Sequence, residues 1–96
     1  MDEIKITAKT KAGVQAIQDH LEEKKKLPWM QQQAYKRLWR DITEEDGSET
    51  HFVLRMICNN PRLMYAVDSE KIKIPIIKAL QENGAIDKKD YDIEVK

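Results

Sequence analysis

The chain has 96 residues, 41% hydrophobic and 35% charged, and its 17 basic and 17 acidic side chains cancel to a formal net charge of zero. This composition is globular rather than disordered, and the charge balance argues against a general nucleic-acid-coating protein, which carries a basic excess. The one cysteine, Cys58, excludes an intrachain disulfide and a cysteine-rich zinc site and fits a reducing, cytoplasmic setting. No apolar run approaches the roughly 20 residues that span a bilayer, and Met1 to Lys5 has no apolar segment of the signal-peptide kind. Residues 1–96 are therefore expected to form a single α+β domain with one core.

In chain order, Ile4, Ile6 and Ala8 alternate with Lys5, Thr7 and Lys9, the pattern of a half-buried strand. Thr10 is a good N-cap for a helix beginning at Lys11, on which Val14, Ile17 and Leu21 share one side. Glu22 and Lys26 stand four apart as a favourable pair. Pro28 breaks the pattern, because it lacks an N–H and pushes Leu27 toward extended backbone. An unbroken helix from Lys11 to Ile42 would run about 48 Å, far beyond a domain of about 12–13 Å radius of gyration. Two helices are expected instead, with Pro28 in the first turn of the second. In that second helix Met30, Ala34, Tyr35, Leu38, Trp39 and Ile42 occupy one arc. Trp29 falls on the other arc, among Lys36, Arg37 and Arg40.

Asp46-Gly47-Ser48 is a turn signal. Thr50 to Cys58 reads as a strand and Leu63 to Asp68 as its hairpin partner, joined by a turn at Asn60-Pro61. This register sets Met56 against Val67 inside and Arg55 against Asp68 outside, with Cys58 facing Tyr65. Asp68 or Ser69 would also cap a helix, but Pro75 would then lie deep inside it, so the last helix is expected to start at Pro75. Ile76, Ile77 and Leu80 are its buried residues, and Gly84 ends it as the C′ residue. Tyr91, Ile93 and Val95 form the final alternating strand.

The order is βααββαβ. With the two early helices in one layer it matches the split βαβ of ferredoxin-like domains, a two-layer sandwich with helices on one face of a four-stranded antiparallel sheet. The open face would then present Lys5, Thr7, Lys9, Val53, Arg55, Ile57, Met64 and Ala66. Its apolar members suit contact with a partner. RNA-recognition modules stack bases on aromatics of such a face, but Ile57, Met64 and Ala66 are not aromatic.

Charge is segregated along the chain. From Lys24 to Arg40 there are six bases and no acid, with Trp29 and Trp39 among them; Asp41, Glu44, Glu45, Asp46 and Glu49 follow. Bases interleaved with aromatics suit a phosphate backbone, although a solvated helix face carries the same residues. The acidic stretch lacks EF-hand spacing, since Ile42 and Val53 fall where acids belong. Neither a metal site nor a nucleophile emerges from Cys58, His20 and His51: the thiol points inward, and the histidines lack partner spacing. Gly13-Val14-Gln15-Ala16-Ile17 is superficially similar to the phosphate loop of acylphosphatases. His20 stands where that family carries arginine, so its hydrolase activity is not inferred.

The sequence therefore points to a small non-enzymatic, protein-binding adaptor or regulatory module without a cofactor. Self-association as a homodimer through Val53, Arg55, Ile57, Met64 and Ala66 is its simplest form. The alternative is a nucleic-acid-binding module using Trp29, Lys36, Arg37 and Arg40.

Overall fold

The computed structural model describes residues 2–64 and 67–96. Its elements are β1 (Glu3–Ala8), α1 (Lys11–Lys25), α2 (Trp29–Leu38), β2 (Trp39–Glu45), β3 (Phe52–Cys58), α3 (Ser69–Glu82) and β4 (Tyr91–Val95), with a short 3-10 turn at Pro61–Leu63. The four strands form one antiparallel sheet in the order β2-β3-β1-β4. The chain is a small α+β fold in which each helical connection skips one strand. The path from β1 to β2 passes over β3, and that from β3 to β4 passes over β1.

Strand alternation decides what is buried. Ile4, Ile6 and Ala8 of β1 face the same side as Leu54, Met56 and Cys58 of β3 and Tyr91 of β4. Ala16 and Ile17 of α1 and Ile76 and Leu80 of α3 complete this core. Each such buried aliphatic side chain contributes roughly 1.5–3 kcal/mol. Thr10 caps α1, its Oγ1 accepting from the Gly13 N–H at 3.2 Å. The same hydroxyl donates to Asp90 Oδ1 at 2.7 Å, while Asp90 Oδ2 accepts from the Ile86 N–H. These two bonds hold the Asp90 carboxyl below its ordinary pKa. Gly13 is fixed by this junction, because a Cβ there would lie 2.0 Å from the Asp90 carbonyl oxygen. Close approach of chain to chain, rather than phosphate binding, accounts for that glycine.

α3 ends in a Schellman motif. The Ala85 N–H bonds the Leu80 carbonyl and the Gly84 N–H bonds that of Gln81, with Gly84 at φ 95° as expected. Its start differs from expectation. Asp68 caps it, accepting from the Glu70 N–H at 2.9 Å, and Pro75 lies inside the helix. An internal proline costs about 3 kcal/mol. The cap and the burial of Ile76 and Leu80 on the same helix offset that cost.

Two other expectations are corrected. The second helix stops at Leu38, and Trp39 to Glu45 is a strand. The hairpin is β2–β3 rather than β3 with Leu63 to Asp68. Asp46-Gly47-Ser48 closes it, with Gly47 at φ 83° and the Ser48 N–H donating to Asp46 Oδ1 at 2.8 Å. Met56 therefore faces Ile4 and Asp41, and Arg55 faces Lys5 and Ile42. Val67 is exposed, Met64 is in the core, and the expected Tyr65 and Ala66 contacts fall outside the described residues. Glu22 pairs with Lys25, three residues on, instead of Lys26. Among the described residues no helix is long and apolar enough to cross a membrane.

Candidate binding surface on the second helix

α2 has ten residues, too few for a stable isolated helix. Pro28 sits at its N-cap with φ −52° and ψ 146°, which turns the chain out of α1. No residue of α2 is fully buried: Tyr35 and Leu38 are half-buried and pack against the core, while Trp29 and Met30 are exposed. Polar groups add to that hold. Gln32 Nε2 donates to the carbonyls of Lys25 and Leu27 at 3.0 and 2.7 Å. Asn59 donates from Nδ2 to the Lys36 carbonyl and from its backbone N–H to that of Leu38. The Tyr35 hydroxyl donates to Asp41 Oδ1 at 2.6 Å and accepts from Lys24 Nζ at 2.7 Å. The Lys24 ammonium also lies 3.4 Å from Asp41 Oδ2 and 4.3 Å from the Tyr35 ring centroid.

This clamp joins three consecutive elements. Burial and the hydrogen-bonded Asp41 push the Tyr35 phenol far above its ordinary pKa, so it stays protonated. Burial pushes the Lys24 ammonium down, against the pull of Asp41. His20, one turn earlier on α1, is pushed down to about 4 by burial and then by Lys24. It is neutral at pH 7. The phenol is thus neither a phenolate nor free, and the three groups satisfy one another. An open cleft of about 1020 Å³ runs beside them between α1, α2 and β2, with Asp19, Glu22, Thr43 and Glu45 on its walls. Among the described residues no group of three histidine, cysteine or acidic side chains is placed to hold a metal. Cys58 is free and buried.

The outward side of α2 is different. Trp29 is 72% and Met30 77% exposed. Together with Gln33, Ala34 and Arg37 they line a shallow depression of about 290 Å³. Arg37 is exposed on its wall and is in no ion pair among the described residues; Lys26 and Lys36, elsewhere on this segment, are likewise exposed and unpaired. Of the nucleic-acid candidates, Trp29 and Arg37 come together here. Lys36 lies toward the cleft and Arg40 on β2.

The sheet-face candidates are dispersed. Arg55 is the hub of the open face, bonded to Glu3 from Nε and Nη2 and to Glu44 from Nη1. The guanidinium holds the Glu3 carboxyl below its ordinary pKa. Ile57 is half-buried beside this network, and Val53 is only 4% exposed. Met64 lies in the core rather than on that face, and Ala66 is outside the described residues. The Tyr35–Asp41 contact was hidden from sequence reading, because residues six apart on one helix face away from each other. It exists only because the chain changes from helix to strand between them. The chain matches no protein-family model, no curated protein and no solved structure.

Proposed function

We propose that the protein is a small non-enzymatic, protein-binding module whose contact surface is the outward side of α2. The observation that carries this reading is a helix that packs Tyr35 and Leu38 against the core yet leaves a tryptophan and a methionine in solvent on its other side. Tryptophan, methionine and arginine are the residue types enriched at interface cores. The unpaired Arg37 beside Trp29 favours a partner segment in which an acidic residue flanks an apolar centre. Arg55 and Glu3 already occupy the centre of the open sheet face with an ion pair, which favours α2 over that face. The same scaffold is read as ferredoxin-like, supported by the two interleaved crossovers.

Nucleic-acid binding is the second reading, favoured by Trp29 and Arg37 lining one depression. Partners captured by the wild-type protein are to be purified and titrated against Trp29→Ala with Met30→Ser. A protein partner should lose affinity at least about tenfold, since exposed aromatic anchors dominate interface energies. Equal binding by the double variant overturns the α2 reading. Quenching of Trp29 by single-stranded oligonucleotides at low salt, lost at high salt, would select the second reading.

A further inference from the structure

β2 and β4 are the two edges of the sheet, and they differ in what a second copy of the chain would meet there. The ladder fixes which backbone groups of β2 point outward. The Asn59 N–H bonds the Leu38 carbonyl, so Arg40, Ile42 and Glu44, in step with Leu38, turn their N–H and C=O toward β3. The Cys58 N–H bonds the Asp2 carbonyl, which puts the even residues of β3 toward β1 and the odd ones toward β2, in agreement. Asp41, Thr43 and Glu45 therefore point their backbone groups away from the sheet. These groups have no hydrogen-bond partner among the described residues. Natural edges are blunted by proline, bulges, shortness or charged side chains. β2 has no proline, runs seven residues and pairs with β3 without a bulge, and its charges, Arg40, Asp41, Glu44 and Glu45, are of both signs, so they oppose pairing in some registers and favour it in others.

Two copies of such an edge can meet antiparallel about a two-fold axis only where outward residues face outward residues. That leaves Asp41, Ile42 or Thr43 on the axis near the middle of the strand. On Asp41, two carboxylates face each other. On Thr43, Asp41 faces Glu45 twice. On Ile42, Arg40 of each copy faces Glu44 of the other, Ile42 faces its own counterpart, and Asp41 faces Thr43. No like charges oppose in that register. Arg40–Glu44 and Ile42–Ile42 are then non-hydrogen-bonded pairs, in which side chains approach most closely. Arg40 is in no ion pair among the described residues, and Glu44, half exposed and 3.4 Å from Arg55 Nη1, would be shared between Arg55 and the Arg40 of the other copy. The arrangement also brings the end of α2, with Lys36 and Arg37, toward the acidic loop at Asp46 of the other copy. The opposite edge behaves in the reverse way. Pairing β4 with its own copy about Ile93 sets Asp92 against Glu94 twice.

We propose that the chain self-associates by antiparallel pairing of β2 with β2 of a second copy, centred on Ile42, to give a continuous eight-stranded sheet. This surface is separate from the outward side of α2, so either proposal can fail without the other. Sedimentation of the full chain over a concentration series should show a monomer–dimer equilibrium. Arg40→Glu and Glu44→Arg should each weaken the dimer about tenfold or more by opposing like charges twice. The double exchange should restore it to within about threefold, because the pair is re-formed with its signs swapped. Thr43→Pro removes only an outward N–H and should give a monomer of unchanged far-ultraviolet circular dichroism. Trp29→Ala should leave the dimer intact. A wild type that stays monomeric at the highest concentrations overturns the proposal, as does a dimer that ignores both the charge exchange and Thr43→Pro.

Discussion

α1 and α2 follow one another across three residues, yet they are held to the molecule by different forces. α1 buries Gly13, Ala16 and Ile17 against the sheet and α3, and its entry is locked by Thr10 and Asp90. α2 has no fully buried residue; it half-buries Tyr35 and Leu38 and is held besides by Gln32, Asn59 and the Lys24–Tyr35–Asp41 clamp. Apolar burial is non-directional and grows with area, whereas each exchange of water hydrogen bonds for internal ones yields only about 0.5–1.5 kcal/mol. A helix held largely in the second way can present its remaining apolar residues, Trp29 and Met30, to something else.

The two tryptophans give the sharpest test of that contrast. Trp39 is 8% exposed and in the core, and Trp29 is 72% exposed. Trp39→Ala should cost about 3–5 kcal/mol in denaturant unfolding. Trp29→Ala should stay within about 0.5 kcal/mol. Comparable losses would mean that α2 is part of the core after all. Tyr35→Phe has a smaller and more local effect, about 1 kcal/mol, since it leaves Asp41 and Lys24 without the bridging hydroxyl. Amide exchange should speed up in α2 and leave α1 unchanged. Uniform acceleration would show that the clamp supports the whole fold.

A separate effect concerns pH. Burial holds the folded His20 pKa at about 4, below its ordinary 6.5. The unfolded chain therefore takes up the proton first as pH falls, and stability is lost through the window from 6.5 to 4. Below that window both states are protonated, and His20 adds no further change. His20→Gln should flatten this part of the unfolding profile, and the imidazole resonances of His20 should titrate near pH 4. A midpoint near 6.5 would show that the ring is in water.

Much of the architecture was legible in the sequence, because it rests on local chemistry. Alternation marked β1, β3 and β4, the Thr10 cap marked the start of α1, and Gly84 marked the end of α3 through its left-handed backbone. The inward set of β3, Phe52, Leu54, Met56 and Cys58, follows from its period of two. Residues 39–42 were not legible. Trp39 and Ile42 continue the helical stripe of Leu38, whereas in a strand the same two residues fall on opposite faces. The local spacing favours the helix. Only pairing with β3, closed by the Asp46-Gly47 turn, makes them β2. That choice turned Leu63 to Asp68 out of the hairpin and moved Met64 into the core. It also left Tyr35 near enough to Asp41 to bond. Pro75 was likewise decided by tertiary packing, which outweighed a local penalty of about 3 kcal/mol. The candidate surface follows the same division. The sequence by itself set the charge block and the two tryptophans, because those are fixed by composition. Which tryptophan meets solvent was in line with helical spacing, but that α2 sends only Tyr35 and Leu38 partway into the core and leaves Met30 in solvent depended on where the neighbouring strand paired, a long-range interaction that no window of sequence contains.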